Sequence, residues 1–218
     1  MSKNIVLGLA VVLALTGCGN NKEEGATKES TSTGGVVSGI GDVVSGVGKL
    51  NDVANASEAM TKHMEELKKM SPITNEQLKS ALPDSLGGIA RTSFEVTNNG
   101  MGLQTASAKF EKDANHYEVQ VYDGAGEMGS AMFGMASLAA MMGTESESQT
   151  GYTKPFSIGD NKGSEKQDKT NADNISNEIT LAVANRFVLI ASSKGLDMDA
   201  LKAAIKDSTI ISKLEGLK

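Results

Sequence analysis

At Gly87-Gly88 the spacing of the apolar side chains changes period, and this change constrains the fold more than any motif in the chain. Upstream, apolar residues recur every three or four positions, the repeat of a helix face; downstream they alternate, the repeat of a half-buried strand. A chain carrying both periods in sequence must set helices against a sheet.

The downstream part reads as an antiparallel meander. Residues 89–97 (IARTSFEVT), the turn residues NNG and residues 101–112 (MGLQTASAKFEK) predict a hairpin with Asn-Gly turn chemistry. In HYEVQVYD, residues 116–123, Tyr117, Val119 and Val121 alternate with Glu118, Gln120 and Tyr122, which gives a third strand with one wet face. After an exposed loop at 144–151, YTKPFSIG, the DNKG turn and SEKQDK predict a second hairpin of edge character. The most hydrophobic β segment, residues 177–193 (NEITLAVANRFVLIASS), breaks near Asn185 into two strands expected to pair at the centre of the sheet.

Helical patterns flank and interrupt these strands. Residues 53–70 place Met60, Met64 and Leu67 in one stripe with Glu65, Glu66, Lys68 and Lys69 outside it, and Pro72 stops the helix. TNEQLKSALP opens on a Thr74-to-Gln77 capping box and closes at Pro83. Residues 126–143 (GEMGSAMFGMASLAAMMG) carry one charge, Glu127. Met128, Ala131, Met132, Met135, Leu138, Ala139 and Met142 share one face of this helix, while Gly126, Ser130 and Gly134 make a second face that invites close backbone packing. It is expected to be the main buried helix. Residues 196–217 end the chain as a helix with a kink at Ser208.

The expected fold class is α+β: a meandering antiparallel sheet of about six or seven strands with one inserted and one C-terminal helix, preceded by N-terminal helices. By element order the domain is loosely similar to the PsbP/Mog1 kind of fold, and that resemblance implies scaffolding and assembly rather than catalysis.

The N-terminus has a different logic. Lys3, an apolar run from Ile5 to Leu15 and the small residues Thr16 and Gly17 lead to Cys18, the one cysteine of 218 residues. This is the three-part layout of a secretory signal peptide, and the run is well short of the roughly twenty residues that a membrane-spanning helix needs. Leu15-Thr16-Gly17-Cys18 resembles the lipobox of bacterial lipoproteins. The resemblance implies lipidation of Cys18, cleavage before it and attachment to a membrane through the N-terminal lipid. Gly19 in place of Asp implies, by similarity to enterobacterial sorting, an outer-membrane address facing the periplasm, and the KEE at 22–24 is similar to acidic tags that direct lipoproteins to the surface.

Residues 19–35 (GNNKEEGATKESTSTGG) carry no large apolar side chain and predict a flexible tether. A short repeat follows, VVSGIGD and VVSGVGK, with Val36, Ile40, Val43, Val47, Leu50 and Ala54 at helical spacing. Its glycines weaken a helix by about 1 kcal/mol each, and the segment 34–48 reads either as a loosely ordered lead-in or as a self-association segment. The expected organisation is therefore 1–17 signal peptide, 18–35 lipidated tether, 36–83 Gly-rich segment and helices, and 84–218 α+β sandwich.

Composition then removes function classes. Loss of Lys3 with the signal moves the formal charge from −6 to about −7, which argues against a nucleic-acid partner because phosphates need a basic face. With Cys18 acylated no thiol remains for catalysis, redox or metal binding. Trp is absent and Phe and Tyr total eight, which disfavours aromatic stacking on sugars or bases. Gly48-Lys49 lacks the spacing of a phosphate loop and is followed by Leu50; there is no G-x-S-x-G elbow; DNKGSE and DKTNADN lack the ligand register of a calcium loop. No catalytic residue and no cofactor site are assigned.

One soft-ligand constellation remains. Eleven methionines are present; Met60, His63 and Met64 share one helix face and Met128, Met132 and Met135 another. Thioether and imidazole suit Cu(I) or Ag(I), while methionine also fills irregular cores. The expected function is a non-catalytic, lipid-anchored envelope protein that binds or scaffolds an envelope protein. Carriage of a lipid or other apolar ligand, and Cu(I)/Ag(I) binding, are the alternatives.

Overall fold

The structure, a computed structural model, describes residues 56–98, 102–171 and 174–218. The expected signal peptide, Cys18, the tether and the Gly-rich repeat lie outside these residues, as does the centre of the first hairpin turn. The chain divides into two units, Met1–Ser45 and Gly46–Lys218, and every described residue belongs to the second.

The described part is α+β. Helical residues 56–69 (α1) and Asn75–Ala81 (α2) precede four strands, Ser85–Leu86 (β1), Ile89–Asn98 (β2), Gln104–Lys112 (β3) and Asn115–Asp123 (β4). Gly126–Met142 (α3) crosses to a second meander: Ser146–Ser148 (β5), Gly151–Ile158 (β6), Asn161–Asp168 (β7), Ser176–Val183 (β8) and Phe187–Lys194 (β9). Met198–Asp207 (α4) and Ile210–Glu215 (α5) close the chain. All pairings are antiparallel and the strand order is β1-β2-β3-β4-β9-β8-β7-β6-β5. Two meanders thus meet where β4 pairs with β9, and the hydrophobic β8–β9 hairpin lies in the interior of the sheet, as its hydrophobicity predicts.

Three corrections follow. The sheet has nine strands rather than six or seven, because the two residues of β1 and the three of β5 pair at its edges. These segments are too short to carry a period of two, and residues 146–148 fall in what reads as a loop. The C-terminal helix is two helices, with Ser208 extended at φ −75°, ψ 155° between them. And α3 is not the main buried helix in the expected sense, since its methionine face is turned outward.

Alternation along the strands places helices on both faces. On one side Val119, Val121, Leu181 and Leu189 point at Leu78 of α2, Leu201 and Ile205 of α4, and Ile210 and Leu214 of α5, making one continuous core. Each such buried aliphatic side chain contributes about 1.5–3 kcal/mol. On the other side Val188, Tyr122, Ala182 and Ile190 form a smaller cluster with Leu67 of α1 and Phe133 and Ala136 of α3. The α2 capping box forms as its sequence predicts: Gln77 N donates to Thr74 Oγ1 at 3.2 Å and Thr74 N to Gln77 Oε1 at 2.8 Å.

Candidate functional site

The helix α3 sits on the sheet by its small side. Gly129, Ser130, Phe133 and Gly134 are its buried residues. At Gly134 a Cβ would stand 2.6 Å from Met64 Sδ, so a larger residue there would have to push the flexible Met64 thioether aside, whereas at Gly129 it would meet the Asp123 carbonyl oxygen at 2.4 Å, backbone that cannot give way as cheaply. Gly143, at φ 55°, ends the helix in the left-handed conformation. Because the inward face is nearly bare, the large side chains are on the outside: Met128 is 40 %, Met135 64 % and Met142 69 % exposed, with Leu138 and Met141 also open.

Where α1, α3 and two strand turns meet, the fold leaves a pocket of about 400 Å³, within the size range of small-ligand sites. Met60, Phe133, Ala140 and Met141 give it apolar walls; His63, Asn185, Asp160 and Lys162 supply polar groups. Ser137 also lines it, and its Oγ is buried with no hydrogen-bond partner. A buried hydroxyl left unpaired costs about 1–3 kcal/mol, so this oxygen is a ready partner for a polar atom entering the pocket. A separate polar hollow of about 230 Å³ follows the β5–β6–β7 edge, where Ser148 Oγ and Thr150 Oγ1 already satisfy each other.

His63 is held rather than free. Its Nε2 donates to the Asn185 carbonyl at 2.5 Å, its Nδ1 is 3.8 Å from Glu66 Oε2, and its ring meets Phe133 edge-on at 5.6 Å. The Asn185 carbonyl is presented by the β8–β9 turn, which is locked by a buried ion pair. Arg186 Nε and Nη2 donate to the two oxygens of Asp123 at 2.8 and 2.9 Å, and Nη2 also reaches the Ser71 carbonyl at 3.0 Å. Asp123 in addition accepts from Ile73 N at 2.8 Å and Ala125 N at 3.1 Å. One fully buried carboxylate therefore ties the chain after α1, the start of α3 and the β8–β9 turn together. Geometry of this kind makes a buried charge tolerable.

The six soft-ligand candidates are divided by this arrangement. Met60 and His63 line the pocket, Met64 lies against Gly134, and Met132 is half-buried. Met128 and Met135 face outward on α3. His63 has one nitrogen engaged by Asn185, which leaves Nδ1 as the imidazole atom a metal could take. Among the described residues no group of three or more His, Cys, Asp or Glu is placed to hold a metal ion.

Sequence reasoning missed the Asp123–Arg186 pair, Ser137 and Met141. An arginine inside the apolar run NRFVLIA was the available signal for the first, since a charge there needs a buried partner. Ser137 and Met141 carry no such signal, because their role depends on how close α1 and α3 approach. Comparison with protein-family models, curated proteins and solved structures finds no match to this chain.

Proposed function

We propose that this protein is a non-catalytic binding module of the bacterial cell envelope, held on a membrane through a lipid on Cys18 and docking a protein on the outer face of α3. The observation that carries the reading is that face. A helix whose small residues pack on the sheet leaves Met128, Met135, Leu138, Met141 and Met142 uncovered, and a contiguous apolar patch of that kind marks an interaction surface. Methionine is suited to the task because its flexible thioether adapts to a partner's shape. The largest buried carboxylates support a binding rather than a catalytic reading, as Asp123 is committed to Arg186 and Glu165 to Lys202 at 2.6 Å.

The lipobox supports the address: two or three acyl chains hold a protein stably where one does not. By the same resemblance the outer membrane, facing the periplasm, is its place. Replacement of Cys18 by Ser should move the protein from the membrane fraction to the soluble fraction with its melting temperature unchanged. Retention of Cys18→Ser in membranes after a carbonate wash overturns the anchor. For the docking face, a photoreactive residue at Met135 in intact cells should give a protein adduct; a chain that stays unmodified overturns it.

A second reading, carriage of a small apolar ligand, is favoured by the unpartnered Ser137 hydroxyl in the methionine-walled pocket. Native mass spectrometry of the gently extracted protein should then find a bound amphiphile that Ala140→Phe, which fills the pocket, removes.

A further inference from the structure

We propose that the partner on α3 is a second copy of this chain, its α3 packed antiparallel about a twofold axis through Met135; this rests on reading the outer face of α3 as a docking surface. Met128, Ala131, Met135, Leu138 and Met142 follow each other by steps of three and four, the seam of a coiled coil, and Met132 and Ala139 flank it on the same helical face. This seven-residue face is a palindrome in side-chain type. Turning one helix end over end about Met135 sets Met128 against Met142, Ala131 against Ala139, Met132 against Leu138 and Met135 against itself. Large therefore meets large along the axis, and the two alanines meet where the helices must approach. A twofold interface requires this self-complementarity of a single patch.

Charge and area select among occupants. The α3 sequence carries no Lys or Arg and one acidic residue, Glu127, at its N-terminal end. A bilayer surface is normally met by a helix with a cationic polar face, which α3 lacks; an uncharged face against its own copy leaves no charge buried. Met135 and Met142 are 64 % and 69 % exposed, with Met128 and Leu138 beside them, so one helix face carries the kind of apolar patch that marks an interaction site. A patch confined to one helix, paired across a twofold, falls at the small end of specific interfaces. The pairing is accordingly weak between free chains and is strengthened when both are confined to one membrane, where the effective concentration rises.

Single-cysteine coupling reads the axis directly. In the full chain, with the wild type as the control for Cys18, Met135→Cys treated with a short bis-maleimide should give a product of twice the chain mass that contains this chain alone. Met128→Cys by itself should stay at monomer mass, because two copies of that position are about 21 Å apart along antiparallel helices. A mixture of Met128→Cys and Met142→Cys chains should couple at least five-fold more than either alone. Self-coupling of Met128→Cys as strong as that of Met135→Cys, or a Met135→Cys chain that remains at monomer mass, overturns the antiparallel pair.

The photoreactive residue at Met135 separates the levels. An adduct made only of this chain supports the pair. An adduct with a different protein overturns the second copy and keeps the docking face; an adduct with lipid alone, or none, overturns both. Because position 135 is exposed, an unchanged melting curve for each variant excludes misfolding as the cause.

Discussion

The two faces of the sheet are built to different standards. Over one, α2, α4 and α5 close a continuous core in which Leu78, Leu181, Leu189, Leu201, Ile205 and Ile210 are wholly buried. Over the other, α1 and α3 bury Leu67, Phe133 and Val188, leave the Ser137 hydroxyl unpaired and turn Met128, Met135 and Met142 outward. The first face stabilises the fold. The second buries little apolar surface on folding and leaves large apolar side chains of α3 in water, the surface on which the proposed docking rests.

Four sets of substitutions test the contrast, beginning with the contact that joins the faces. Asp123→Ala strands a buried guanidinium and removes the acceptor for Ile73 N and Ala125 N. It should cost about 3–5 kcal/mol, read as a lowered midpoint in urea unfolding, and should loosen α1 and α3 together. A loss below 1 kcal/mol would mean that the pair is not the staple described above.

Leu181→Ala, in the thick core, opens a cavity and should cost about 2–5 kcal/mol. It should leave coupling through Met135→Cys intact in whatever fraction stays folded. Loss of coupling without loss of folding would show that the faces are not independent.

Lys202→Met probes the buried pair on the same face. Burial of Lys202 works against its charge, but the hydrogen bond and charge of Glu165 outweigh it and hold the ammonium above the ordinary lysine value. A raised folded value means that the pair's stabilisation is complete below the unfolded value of about 10.4 and is lost as pH rises through the folded one. The wild type should exceed Lys202→Met by about 1–3 kcal/mol at neutral pH. On the lysine side that advantage should shrink in alkaline solution as Lys202 loses its proton, and shrinkage between pH 5 and pH 8 would contradict the assignment.

The smallest effect belongs to the open face. Met135→Ser and Met142→Ser should change stability by less than about 0.5 kcal/mol, since both side chains are largely in water. A loss as large as that of Leu181→Ala would mean that α3's outer face is part of the core after all.

Much of the fold was legible because its signals are local. The change of period at Gly87-Gly88 separates helices from strands, the Thr74–Gln77 box marks the start of α2, and the high hydrophobicity of 177–193 marks the interior hairpin β8–β9. The edge strands β1 and β5 were not legible, because two or three residues have no periodicity and pair only when a neighbour offers an edge. The site was half legible: Met60 and His63 line the pocket as members of one helical stripe, whereas Ser137 and Met141 enter it only through the approach of α1 to α3.

The order of the main elements and their amphipathic faces could be read from the sequence alone, because both follow from spacing and side-chain chemistry within a few residues. Which face of α3 turns inward was decided only by the tertiary structure. Both of its faces avoid charge, so periodicity identifies them without ranking them. The choice falls to close packing: Gly129, Ser130 and Gly134 let the backbone approach the sheet and α1, and the gain from that fit leaves the methionines outside.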